Sequence, residues 1–126
     1  MSPHSQARSG YASASSSIAT GRGAEYAIFA RVTHALGAVD ESDRRAYPQL
    51  ARAVTDNQRL WAALAVDLAD DGNALPVPLR ASMLSLAEFV RRHSMAVLGS
   101  RASVVPLVDI NTMIMKGLRG GVEVAA

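Results

Sequence analysis

The sequence predicts an all-α fold, a small helical bundle of about four helices with a flexible N-terminal arm. Two observations carry this reading. Apolar residues recur at steps of three, four and seven in four successive segments, and turn chemistry separates those segments. No stretch alternates apolar and polar side chains for long enough to make a strand. A chain of 126 residues suits one domain with one core.

The elements follow in order. Residues 1–22 are dominated by Ser, Ala and Gly, with Tyr11 and Ile18 the only sizeable apolar side chains. They are expected to form a flexible arm, either inert or ordering on a partner. The helical domain is expected over 23–119 and a frayed tail over 120–126. Its first helix lies in "GAEYAIFARVTHALGAV", where Tyr26, Phe29, Val32, Thr33 and Leu36 share a face and Gly37 is a plausible stop. "DESDRR" is a polar connection in which Ser42 or Asp43 can cap the next helix.

Pro48 fits the first turn of the second helix, about Tyr47 to Ala69. Its stripe holds Leu50, Val54, Asn57, Trp61, Leu64 and Leu68. "DDGNALPVP" breaks the pattern, because two closely spaced prolines cannot continue a helix. A third helix starts near Pro78, with Leu79, Met83, Leu86, Val90, His93 and Val97 on one face and Gly99 as its end. Ser103 can cap the fourth helix and Pro106 sits in its first turn. That helix is expected to run to about Lys116, closed by Gly117 or Gly120.

Composition bounds the function. Hydrophobic residues make up 49%, which argues against wholesale disorder, and aromatics only 5%, so aliphatic side chains must build the core. Thirteen basic and eleven acidic residues give a formal charge of +2, with no polybasic run to mark a nucleic-acid or membrane footprint. There is no Cys, which excludes disulfides and thiolate metal sites and fits a reducing compartment. No apolar stretch has signal-peptide or membrane-spanning length, so a cytoplasmic protein is expected.

Catalytic chemistry is hard to assemble. His4, His34 and His93 lie far apart with no metal-ligand spacing, and "TGRGAE" lacks the lysine of a phosphate loop. Asp67, Asp70 and Asp71 read as solvent-facing and capping groups at a helix end. His93 reads as a hydrogen-bonded core or boundary residue. No cofactor, metal or small-molecule substrate is expected. Trp61 reads first as a core residue, with a partner-binding anchor as the alternative. Met83, Met95, Met113 and Met115 read mostly as core filler, although a Met-rich adaptable groove would use the same residues.

Two residues break the pattern. Asn57 falls on the stripe of Val54 and Trp61, and Asn111 on the face of Leu107, Ile114 and Leu118. Burying a carboxamide without partners costs roughly 1–3 kcal/mol. Either each one bonds to backbone, loop groups or the other and so sets helix register, or one of them lines a groove for a partner helix.

Three segments in register, "EYAIFARVTHAL", "NQRLWAALAVDLADDGNALPVPLRASMLSLAEFVRRH" and "LVDINTMIMKGL", resemble the FlaF family of alphaproteobacterial flagellar biosynthesis regulators. The most specific residues are Asn57, Arg59, Leu60 and Trp61 with Asp67 and the turn from Asn73 to Pro76. Asn111, Ile114, Met115, Gly117 and Leu118 form a second set. The lead-in "TGRG" keeps only Arg22 of the family's Ser-Pro-Arg-like pattern. The resemblance implies a non-enzymatic role in flagellin synthesis or secretion, with chaperone-like binding to flagellin in concert with the regulator FlbT. Asn57, Arg59, Trp61, Asn111 and Met115 are the candidate partner-binding or motif residues. The alternative is direct contact with flagellin messenger RNA through Arg44, Arg45, Arg52, Arg59, Arg91 and Arg92. The small net charge and the lack of exposed stacking aromatics weigh against it.

Overall fold

The computed structural model describes residues 15–125, with side chains described over 25–118. Four helices account for nearly all of it: α1 (Ser15–Gly37), α2 (Tyr47–Ala69), α3 (Val77–Leu98) and α4 (Val105–Ala125), with a short 3-10 turn at Arg44–Ala46. Among the described residues there is no strand. Short connections reverse the chain each time, so the bundle runs up-down-up-down. α1 packs closely along α4 and α2 along α3, while α1 and α2 touch over a smaller area.

The core forms where the apolar stripes meet. Phe29 and Leu36 from α1, Val54 and Trp61 from α2, Val90 and Val97 from α3 and Leu107 from α4 belong to one buried cluster. Phe29 meets Trp61 edge-on, with ring centroids 5.9 Å apart and planes at 90°, a favoured aromatic geometry. No helix among the described residues is long and apolar enough to cross a membrane.

Local chemistry explains the connections. Asp43 Oδ1 accepts the Arg45 backbone N–H at 3.0 Å and caps the 3-10 turn. Pro48 and Pro78 occupy the first turns of α2 and α3, where a missing N–H costs nothing. In the α2–α3 turn, Asn73 donates from Nδ2 to the Asp67 carbonyl at 3.1 Å and accepts Leu75 N–H at 3.0 Å. Asp70 Oδ1 accepts Gly72 N–H at 3.1 Å, so the turn is held by its own side chains.

The structure departs from the sequence reading at several places. α1 begins at Ser15, so residues 15–22 of the expected arm are helical and residue 23 is not a helix start; residues 1–14 lie outside the described residues. Ser and Ala are compatible with helix, and a glycine weakens a helix by about 1 kcal/mol without stopping it. The same reasoning corrects the other end. α4 passes through Gly117, Gly120 and Gly121 to Ala125, because glycine closes a helix by turning left-handed and no described glycine has a positive φ. Leu79, expected on the buried face of α3, is exposed. Met95 and Met113 are also exposed and do not fill the core.

Candidate functional site

The residues that break the apolar pattern meet in the middle of the bundle. Asn111 on α4 donates from Nδ2 to Asn57 Oδ1 on α2 at 2.8 Å. Trp61, one turn further along α2, donates from Nε1 to Asn111 Oδ1 at 2.8 Å. Asn57 and Asn111 have no exposed surface and Trp61 retains 2%. The spacing makes this possible, since Asn57 and Trp61 at i and i+4 stand on one face of α2, both within reach of one α4 side chain. Asn111 therefore uses its carbonyl on Trp61 and its amide on Asn57.

The relay is incomplete at its far end. The Nδ2 of Asn57 is buried without a hydrogen-bond partner. So are the hydroxyls of Thr33 on α1 and Ser94 on α3. A buried donor or acceptor left unmet costs about 1–3 kcal/mol, so this core carries a polar load.

The candidate motif residues thus divide by location. Asn57, Trp61 and Asn111 are buried together and do not face a groove. Met115 is half-buried against the core. Arg59, between Asn57 and Trp61 in sequence, points outward and is exposed. It shares the outer face of α2 with Val66, seven residues on, which is 68% exposed.

Other charged groups are engaged locally. Glu88 holds Arg91 at 2.7 Å and Arg92 at 3.5 Å on the outer face of α3. The Arg91 hydrogen bond keeps the Glu88 carboxyl below the ordinary glutamate range and raises the Arg91 guanidinium. Asp40 is likewise lowered by hydrogen bonds from Ser42. His93 stacks on Phe89 with centroids 5.2 Å apart, and its Nε2 lies 2.8 Å from the Ser103 carbonyl. It is therefore a bonded boundary residue. Among the described residues, no group of three or more His, Asp or Glu is placed to hold a metal ion.

Two important residues escaped the sequence reading. Ser94 is fully buried, and its steps of four from Val90 and three to Val97 would have placed it on the core face. Glu41 accepts both the Ser103 hydroxyl at 2.8 Å and the Val104 N–H at 2.9 Å. It thereby caps α4 from the α1–α2 connection, across 62 residues of sequence. No local signal announces a partner so distant. Ser103 does take the capping role expected of it, accepting Val105 N–H at 3.0 Å.

Comparison with known proteins gives one family and no individual relative. No curated protein and no solved structure matches the chain. The family model described as "Flagellar protein FlaF" matches residues 7–118. That span contains all four buried stripes and the whole Asn57–Asn111–Trp61 relay, and so the chain belongs to the FlaF family of flagellar proteins.

Proposed function

We propose that the protein is a non-enzymatic, cytoplasmic regulator of flagellar biosynthesis that controls flagellin synthesis or secretion through chaperone-like binding of flagellin, in concert with a FlbT-type regulator. The observation that carries this reading is the family match over 7–118. The architecture is compatible with it, since helical bundles offer grooves and faces for amphipathic segments.

Contact with messenger RNA is the weaker reading. Arg45 is paired with Asp43, and Arg91 and Arg92 with Glu88. Three of the six arginines that such contact requires are therefore already matched by carboxylates, which reduces the charge available to phosphates.

Coexpression and pull-down with flagellin and with FlbT test the proposal. Saturable binding to flagellin that survives physiological salt supports it. Binding to neither protein overturns it. A gel shift with flagellin messenger RNA, lost on reversing the charges of Arg44 and Arg45, would move the function to the RNA class.

A further inference from the structure

Leu79 is a stripe residue left in the open. It stands on the apolar face of α3 with Met83, Leu86 and Val90, yet it is 46% exposed. Leu68, at the matching end of α2, is only 1% exposed. Val77, two residues before Leu79, is exposed as well. Water therefore meets apolar surface at the α3 corner of this end of the core, where burial would be favourable.

The topology says which segment of the chain lies nearest. The bonds from Ser103 to Glu41 and from Tyr47 to the Leu98 carbonyl gather the α1–α2 and α3–α4 connections at one end of the bundle. The four helices have 23, 23, 22 and 21 residues and so finish nearly level at the other end. The start of α1 at Ser15 shares that other end with the α2–α3 turn and Leu79. α1 packs along α4 and against α2, so α3 stands diagonally across from it. Neighbouring helix axes lie about 8–10 Å apart, which makes the diagonal about 11–14 Å. The four residues from Tyr11 to Ser15, when extended, span up to about 13–14 Å. Tyr11 can thus reach Leu79, whereas the far end of the bundle, about 33 Å along the helices, is beyond it.

Charge points the same way. Residues 1–14 carry Arg8 and His4 but no Asp or Glu, and Asp70 and Asp71 in the turn before α3 are exposed. Tyr11 is the one aromatic residue in this segment. Its ring can cover apolar surface while its hydroxyl stays in water. We propose that residues 1–14 fold back over this end of the bundle as a strap, the Tyr11 ring covering Leu79 and Val77 and Arg8 pairing with the Asp70–Asp71 turn. The contact lies within one chain and does not depend on flagellin binding.

The full chain has no cysteine, so Ser5→Cys carries a single nitroxide label outside the proposed contacts. In dilute solution the label should broaden the amide signals of Val77, Leu79 and the 70–73 turn, and leave those of Tyr47 and Ser100 at the far end sharp. Tyr11→Ser, added to the labelled chain, should abolish the selective broadening, and Arg8→Glu should weaken it. Trypsin should cleave after Arg8 at least about tenfold more slowly in the parent than in the Tyr11→Ser variant, because cleavage follows the population of the undocked segment. Broadening that is absent, or that Tyr11→Ser leaves unchanged, overturns the proposal. So does broadening between a labelled chain and a separate isotope-labelled one, which would make a second copy the occupant. Protection of Arg8 only after flagellin is added also overturns it and assigns the surface to a partner.

Discussion

Asn111 donates its amide to the carboxamide oxygen of Asn57 across the centre of the bundle, at 2.8 Å and out of contact with solvent. Since Asn111 also accepts from Trp61, its position in the relay is central and that of Asn57 terminal. The two asparagines are therefore not equivalent, and substitution should reveal this.

Asn111→Leu leaves both the Trp61 N–H and the Asn57 carbonyl unmet. Asn57→Leu leaves only the Asn111 amide unmet, and it removes an Nδ2 that already lacks a partner. With roughly 1–3 kcal/mol for each stranded group, Asn111→Leu should be the more destabilising of the two. The double variant should cost less than the sum of the singles. Urea unfolding of all three variants checks this. Equal losses for the two singles would remove the relay from the account of stability.

Trp61 contributes through packing and through its N–H, and two substitutions separate these. Trp61→Ala empties the contact with Phe29 as well as breaking the bond to Asn111, so a loss of about 3–5 kcal/mol is expected. Trp61→Phe retains most of the apolar volume but strands the Asn111 oxygen, so a loss nearer 1–3 kcal/mol is expected. If the Ala variant melts like the parent, Trp61 is not a core residue and its burial has been misread.

Much of this arrangement was legible in the sequence, for reasons that differ from residue to residue. The helices follow from apolar periodicity, and Pro48, Pro78 and the Asp70–Asn73 turn act locally, so a linear reading finds them. Asn57 and Asn111 announce themselves as polar groups on apolar stripes. What no linear reading supplies is that they meet, because that depends on how α2 and α4 are set against each other. Glu41 looks like any loop carboxylate until the fold brings Ser103 and Val104 to it. The glycines mislead at both ends: Gly117 or Gly120 reads as a stop, although a glycine in helical conformation merely weakens the helix.

Acid titration gives a surface test. Arg91 donates to the Glu88 carboxylate and holds it below the ordinary glutamate range. A lowered folded-state value means that the contribution to stability is present above the unfolded-state value and is lost as pH falls through the folded-state one. Both side chains are exposed, so the effect on overall stability is small. Carboxyl-resolved NMR should show Glu88 titrating below an unpaired glutamate, and Arg91→Ala should raise its midpoint. An unchanged midpoint would mean that the pair does not persist in solution.

The end of α3 offers a stabilising substitution. Ser100 N–H bonds to the Val97 carbonyl at 2.9 Å and Arg101 N–H to the Ala96 carbonyl at 2.8 Å. This is the Schellman pattern, in which the residue after the C-cap turns left-handed and is usually glycine. Here that residue is Ser100, with φ 61°, while Gly99 sits before it at φ −85°, where no glycine is needed. The glycine thus stands one residue away from the position that favours it. A left-handed conformation costs a residue with a Cβ about 1 kcal/mol or more, so Ser100→Gly should raise stability by about 1 kcal/mol. Gly99→Ala meets one obstacle, because its Cβ would lie 2.6 Å from Arg101 Nη1. That atom is the end of a flexible side chain, and it has only to swing aside. Replacing Gly99 also restricts the unfolded chain, which favours folding by about 0.4–1 kcal/mol at a compatible site. The double variant Gly99→Ala/Ser100→Gly should therefore melt above the parent. Thermal melts of the two singles and the double decide the matter. A Ser100→Gly variant less stable than the parent would show that the serine side chain makes a contribution larger than the strain it imposes.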